Sequence, residues 1–214
     1  MTNIPQRTVE RFFRYCQFLH TRIEAGSEFV FSHELAASVG VSPEQVRRDL
    51  MNFSLKGTPQ KGYSAGEFLR ELYAHLESSS RTNVVLVGTG NLGKAILSYF
   101  NKRRPNLSIV AAFDQDPEKS DRVVAGCHVY HISQLEKIAR DQKALVGIIT
   151  VPAQSAQEVA ALLIKSGIKG ILNFAPINLR LPPEIFLEHI DITLSIEKAV
   201  YFARQSKTSK ELQK

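Results

Sequence analysis

The segment Val84-Val-Leu-Val-Gly88-Thr-Gly90-Asn-Leu-Gly93-Lys-Ala-Ile constrains this chain more than any other. Four apolar residues, three of them valine, read as a short buried strand. The G-x-G-x-x-G pattern follows that strand directly and opens a helical stretch, 91–101. In that context each glycine has a physical task. Gly88 permits the tight turn, Gly90 lets the backbone approach a pyrophosphate, and Gly93 lets the helix pack close to the strand. N–H groups and the dipole at the helix start favour phosphate there. Gly88, Thr89, Gly90, Asn91, Leu92 and Gly93 are the candidate cofactor-binding residues of this loop.

Asp114 stands 21 residues after Gly93, at the end of the next predicted strand, 107–113. An acid at that place accepts ribose hydroxyls of an adenosine half and repels a 2′-phosphate, so NAD(H) is expected rather than NADP(H). Asp116 competes for the role. Further strands are predicted at 129–131, 144–151 and 168–174, with helices at 133–140 and 154–166 between them. Such alternation implies an α/β, Rossmann-like parallel sheet covered on both faces. A last helix, 195–205, offers Ile196, Ala199, Val200 and Phe202 for packing.

The residues before Glu77-Ser-Ser-Ser-Arg81 follow a different pattern, and this polar stretch reads as a domain boundary separating residues 1–80 from the rest. Val9, Phe12, Phe13, Cys16, Leu19 and Ile23 recur at helical spacing, with Gly26 as the stop. A second helix opens over 34–37 and ends at Gly40. Ser42, Pro43 and Gln45 form a capping-box start for a third helix with Val46, Leu50 and Phe53 on its buried face. Two short helices about a glycine turn suit a helix-turn-helix, whose second helix enters the major groove. Ser42, Gln45, Arg47 and Arg48 are expected to face outward from it. Gly57, Pro59, Gly62 and Tyr63 mark a hairpin, a wing carrying Lys56 and Lys61. Ser42, Gln45, Arg47, Arg48, Lys56, Lys61 and Tyr63 are thus the candidate DNA-contacting residues, in a winged-helix unit closed by a helix over 65–76. A helical protein-interaction module with solvated arginines is the alternative reading.

Charge decides less than its placement. The 214 residues carry a formal net charge of +6. Residues 1–80 hold nine Lys/Arg and nine Asp/Glu, so the excess lies in the second part. The local excess over 45–63, four Lys/Arg against Asp49, is what points to DNA. The longest apolar runs are too short to span a bilayer, and the first residues show no apolar signal core, so a cytoplasmic protein away from membranes is expected. Cys16 and Cys127 fit no metal or redox spacing and read as buried reduced thiols. No metal site is expected.

The order of winged helix and glycine loop resembles the bacterial redox-sensing repressor family known as Rex. The resemblance runs from Ile4 to about Tyr201. In the first part it is carried by Ile4-Pro5, Arg11, Tyr15, Leu19, Ser32, Glu34-Leu-Ala36, Gly40-Val41, Gln45-Val-Arg47, Asp49-Leu50, Phe53, Gly57 and Gly62-Tyr63. In the second it is carried by Val87-Gly-x-Gly-x-Leu-Gly93, Phe113-Asp-x-Asp-Pro-Glu-Lys119, Thr150-Val-Pro-Ala153 and Gly170-Ile-Leu-Asn-Phe-Ala-Pro176. The resemblance implies that the last two blocks line the nicotinamide and diphosphate side, which adds Val151, Pro152, Ala175 and Pro176 to the cofactor residues. It implies a homodimer on double-stranded operator DNA, with residues 81–193 binding NAD(H) and a swapped C-terminal helix and tail, 194–214. NADH is expected to hold a closed form that leaves DNA, and NAD+ to permit binding. Tyr99 and Asp191 match the family's switch residues.

Two departures stand out. Gln17 occupies the place of a switching Arg, and Gln cannot form a charged pair with Asp191. The wing, Gly57-Thr-Pro59-Gln60-Lys-Gly62-Tyr63, lacks the Arg that can enter a narrow minor groove. Two other functions are weighed. An NAD-dependent oxidoreductase would need a substrate domain, but only some 40 residues follow the predicted strand ending near Phe174; His128, His131 and His189 are its acid–base candidates. A nucleotide-binding regulator with altered or lost DNA binding would take NAD(H) or CoA, since the Thr150 and Asn173 blocks also look like those of CoA-binding Rossmann domains. Asp114 argues against CoA.

Overall fold

The structure, a computed structural model, describes residues 4–51, 53, 61–76, 81–100 and 107–211, with side chains through Gln205. The chain divides into two compact units, Met1–Ser80 and Arg81–Lys214.

Unit 1 runs α1 (Gln6–Glu24), β1 (Phe29–Val30), α2 (Ser32–Val39), α3 (Pro43–Leu50), β2 (Tyr63–Ser64) and α4 (Ala65–His75). Its core gathers the apolar stripe of α1 (Phe12, Tyr15, Cys16, Leu19) with Leu35, Val46, Phe53, Phe68 and Leu72. Phe13 and Ile23, expected on that stripe, are 51% and 38% exposed. Phe13 lies about 100° round the helix from Phe12, off the buried face, whereas Ile23 is on that face but in the last turn of α1. Gly40 closes α2 in the left-handed conformation. Ser42 caps α3 by accepting from the Gln45 N–H. The reciprocal half of the expected capping box is absent among the described residues, for the Gln45 side chain turns to Asp49 instead. The strand after the wing pairs antiparallel with a two-residue strand before α2, Val30 opposite Tyr63. Two residues are too few for a periodic signal, so β1 is missing from the sequence reading. The wing tip, with Lys56, Gly57 and Pro59, lies outside the described residues.

Unit 2 contains β3 (Thr82–Val87), α5 (Asn91–Phe100), β4 (Leu107–Asp114), β5 (Arg122–Val124), β6 (Cys127–His131), α6 (Leu135–Asp141), β7 (Val146–Ile149), α7 (Ala153–Lys165), β8 (Gly170–Asn173), β9 (Phe186–His189) and α8 (Ile192–Glu211). The sheet order is β5-β6-β4-β3-β7-β8-β9, parallel except for β5. Alternate residues of β3 enter two cores. Val85 and Val87 pack with residues of α6 and α7, while Val84 and Leu86 pack with Ile96 and Leu97 of α5. Helices therefore cover both faces, as the continuous apolar run requires.

Two strands extend the predicted set. β5 pairs with β6 through a turn in which Ala125 and Gly126 both have positive φ (49° and 79°), the geometry of a tight hairpin turn. Alanine at its first position hid the turn. β9 pairs parallel to β8 although no helix joins them. The sheet thus extends one strand past Phe174, the point where the sequence reading ended it.

Candidate functional site

The order of the sheet reverses at β3, with β4 on one side and β7 on the other. In such sheets the crevice beyond the carboxyl ends of the strands is where ligands bind. Four loops meet that edge: 88–93 after β3, 114–119 after β4, 150–153 after β7 and 174–177 after β8.

The glycines divide the work. Gly88 has φ +101°, and a Cβ there would come within 2.7 Å of the Thr150 carbonyl oxygen. A Cβ on Gly93 would collide with the Gly88 carbonyl oxygen. Both are packing glycines. Gly90 has nothing within 4 Å of its added Cβ. No described residue needs its lack of a side chain, and the space beside its backbone is open. Thr150 clasps the loop, its Oγ1 lying 2.7 Å from the Gly88 carbonyl oxygen and 3.0 Å from that of Val87. Sequence reasoning treated Thr150 only as part of a block. The half-buried Val151 and exposed Pro152 follow it, and Pro152 is the N-cap of α7.

Asp114 is 6% exposed. Its Oδ2 accepts from the Thr89 N–H (2.8 Å) and hydroxyl (2.6 Å), and its Oδ1 accepts from the Asp116 N–H at 3.1 Å. Lys119 Nζ lies 3.8 Å from Oδ1. Burial works to raise the pKa of this acid. Hydrogen bonds from Thr89 and Asp116 and the Lys119 charge outweigh it, and hold the carboxyl below its ordinary value. A carboxylate oxygen accepts about two hydrogen bonds. Oδ2 is therefore filled, and Oδ1 keeps one acceptor place among the described residues. Asp116 is taken up by the cap of the turn Pro117–Lys119 and by Lys119, 3.2 Å away.

Asn173, at the end of β8, is fully buried. Its Oδ1 accepts from the Ala175 N–H, and its Nδ2 faces the carbonyls of Ala175 and Ile177 and Nδ1 of His189. It fixes the loop holding buried Ala175 and exposed Pro176. A lone amide in an apolar run, Ile171-Leu-Asn-Phe-Ala175, was its only sequence signal. The other histidines are occupied locally. His131 accepts from the Ser133 N–H, and the His128 ring lies 4.2 Å from that of Tyr130. Burial pushes the Cys127 thiol up to about 11, so it stays protonated. Cys16 is buried in the other unit. Among the described residues no group of three His, Cys, Asp or Glu could hold a metal ion, and no helix is long and apolar enough to cross a membrane.

Asp191 caps α8, accepting from the Leu194 N–H at 2.8 Å. Along α8, Ile192, Leu194, Ile196, Val200, Tyr201 and Phe202 are all at least 43% exposed. Tyr99, on α5, is 56% exposed.

In unit 1, α3 is fastened to α1 by a network that sequence reasoning missed. Asp49 is 4% exposed. It accepts two bonds from the Arg11 guanidinium (2.8 Å each), one from the Tyr15 hydroxyl (2.9 Å) and one from Gln45 Nε2 (2.8 Å). Burial would raise its pKa, but the Arg11, Gln45 and Tyr15 bonds keep it low. Gln45 is thus half-buried rather than outward, and its Oε1 accepts from Arg48 at 3.0 Å. Ser42, Arg47, Arg48 and Lys61 are exposed, Arg47 pairing with Glu44 at 2.7 Å. Tyr63 is half-buried against Phe68, and Gln17 is exposed on α1.

Residues 3–50 match the family model described as a putative DNA-binding protein N-terminus, and residues 79–177 the one described as a CoA binding domain. The redox-sensing transcriptional repressor Rex of Listeria welshimeri is 39% identical over 94% of this chain and 94% of its own. That of Desulforamulus reducens is 36% identical over 91% and 92%. This chain belongs to the Rex family. RSP, a Rex-family repressor, matches in structure with a TM-score of 0.86 over 100% of both chains at 28% identity. RSP has also been solved with β-NADH and with β-NAD+ and operator DNA. Rex-family repressors are regulators rather than enzymes. The winged-helix and Rossmann-like parts expected from the sequence are those of the Rex fold.

Proposed function

We propose that this Rex-family chain is a cytoplasmic, homodimeric, redox-sensing repressor that holds operator DNA through residues 1–80 and releases it when NADH replaces NAD+ in residues 81–193. The observation that carries this reading is the pairing of a bare Gly90 with a preset Asp114 at the carboxyl ends of adjacent strands. The residues fit a dinucleotide. Gly90 leaves open space where a diphosphate must come close, and Oδ1 of Asp114 keeps one acceptor position for a ribose hydroxyl. NAD(H), when bound, supplies the signal, because its nicotinamide ring gains a hydride and loses its positive charge on reduction.

The chain supplies the rest. Backbone N–H groups of Gly90 to Gly93 face the diphosphate, since those of Gly88 and Thr89 donate to Phe113 and Asp114. Val151, Pro152, Ala175 and Pro176 line the ring side. Tyr99, Asp191 and Gln17 take part in the switch. Asp191 caps α8 through Oδ1, so Oδ2 is the oxygen that meets a new partner while the cap holds the carboxylate in place. Gln17 restricts such a partner to a neutral hydrogen bond. Residues 194–214 form the swapped dimerisation helix and tail, with the exposed apolar face of α8 as the contact. Ser42, Arg47, Arg48, Lys56, Lys61 and Tyr63 contact DNA, and Gln45 aims Arg48. The test is selection of genomic DNA bound by the pure protein, then salt-controlled mobility shifts. NADH is expected to weaken binding far more than NAD+ does. Equal responses to both refute the reading.

The match of residues 79–177 to a CoA binding domain favours a second reading, a CoA-responsive regulator. Against it, Asp114 places negative charge beside the phosphorylated ribose of CoA. Calorimetry with NADH and with CoA separates the two.

A further inference from the structure

Asn173 carries two amide hydrogens and faces three acceptors at nearly equal distance. The Ala175 carbonyl oxygen is 3.0 Å from Nδ2, the Ile177 carbonyl oxygen 3.1 Å and His189 Nδ1 3.1 Å. The amide orientation is fixed, because Oδ1 accepts from the Ala175 N–H at 3.0 Å and a flipped amide would set N–H against N–H. The Ala175 carbonyl also accepts from the Ile177 N–H at 2.7 Å, so the two amide hydrogens are needed most at Ile177 and His189. Nδ1 of His189 can take part only as an acceptor, so the imidazole carries its proton on Nε2.

The three acceptors belong to two different structures. Ala175 and Ile177 form the loop after β8 at the ligand edge of the sheet. His189 ends β9, and two residues later Asp191 caps α8 through Leu194. The backbone repeats the link, since the Ile190 N–H donates to the Asn173 carbonyl. The Asn173 amide thus ties the loop and the end of β9 to one buried group, and a displacement of either changes how well that group serves the other.

We propose that Asn173 and His189 are positioning residues that couple the 174–177 loop at the nucleotide site to the start of α8, through the one buried amide that hydrogen-bonds both. This rests on the repressor reading above. A nucleotide that shifts the loop moves the Asn173 amide against His189, and so changes how β9 presents Asp191 to α8. Neither residue needs to touch the nucleotide or the DNA.

The test uses the full-length dimer and reads a coupling ratio, the affinity for operator DNA with NAD+ divided by that with NADH. His189→Leu removes the acceptor. His189→Asn keeps an acceptor at the position of Nδ1. His189→Leu is expected to cut the ratio at least tenfold, with NADH and NAD+ affinities of the DNA-free protein within threefold of the parent. His189→Asn is expected to restore most of the ratio. An unchanged ratio in His189→Leu overturns the proposal, as does an Asn variant as impaired as the Leu variant. A loss of nucleotide affinity beyond threefold also overturns it, because His189 would then belong to the nucleotide site. A parent protein with no ratio to lose instead overturns the repressor reading. NMR needs no variant. The His189 ring nitrogens of the parent are expected to report the Nε2–H form and to shift between NADH and NAD+, and ring signals identical in both states overturn the link.

Discussion

Replacing Asp49 by Asn tests whether the buried network sets the stability of the DNA-reading unit. Among the described residues the carboxylate receives at least four hydrogen bonds, two from a guanidinium, in a place where only 4% of the residue meets solvent. Asn removes the charge and turns one acceptor into a donor facing other donors. Breaking a buried pair by removing one partner costs about 3–5 kcal/mol. The Arg11 side chain is 19% exposed, so water recovers part of its solvation, and a loss of about 3 kcal/mol is expected. That is roughly a 150-fold rise in the exchange rate of protected amides in α1 and α3. Hydrogen exchange reads it, and the amides of β4 in the same chain serve as the control. In an Arg11→Met background the same change is expected to cost about 1 kcal/mol or less, because the stranded cation is gone. A rise below about fivefold, or equal losses in both backgrounds, would show that the network is not what holds α3.

Gly93→Ala places a methyl group on the Gly88 carbonyl. NADH affinity by calorimetry is expected to fall at least tenfold, with a stability loss of about 1–3 kcal/mol. Asp114→Asn is expected to weaken NADH about tenfold or more, the worth of a hydrogen bond to a charged acceptor, and to narrow the preference over NADPH in competition titrations. Asp49 and Asp114 both titrate below their ordinary values. Their depressed pKa values add stability above the unfolded carboxylate range, near pH 4. That stability is lost as pH falls through the lower folded values, so the denaturation midpoint is expected to drop on acidification below about pH 4 and stay level above it. Arg47→Ala and Arg48→Ala are each expected to reduce the salt slope of DNA binding by about 2 in a dimer, read from mobility shifts across a salt series.

The glycine loop and its acid were legible because each demand falls on one residue type at one spacing. A collision at Gly93 or a positive φ at Gly88 leaves glycine as the residue that fits. The helix-turn-helix was legible from Gly40 and the Ser42 cap. The long-range polar bonds were not. Nothing in the spacing of Arg11 and Asp49, 38 residues apart, says that they meet. Gln45 reads as a surface residue of a recognition helix until the buried carboxylate one turn later is seen. β9 escaped because its pairing is set by β8, with no periodicity of its own. Asn173 sits in an apolar run where pattern reading registers strand and passes over the one amide.

Helix α8 carries six exposed large apolar side chains, more than any other described element. If covering them is part of folding, the protein's heat resistance is a function of how much of it is present. Dilution then acts like a mild denaturant. A cell holding few copies keeps its repressor nearer to melting than one holding many.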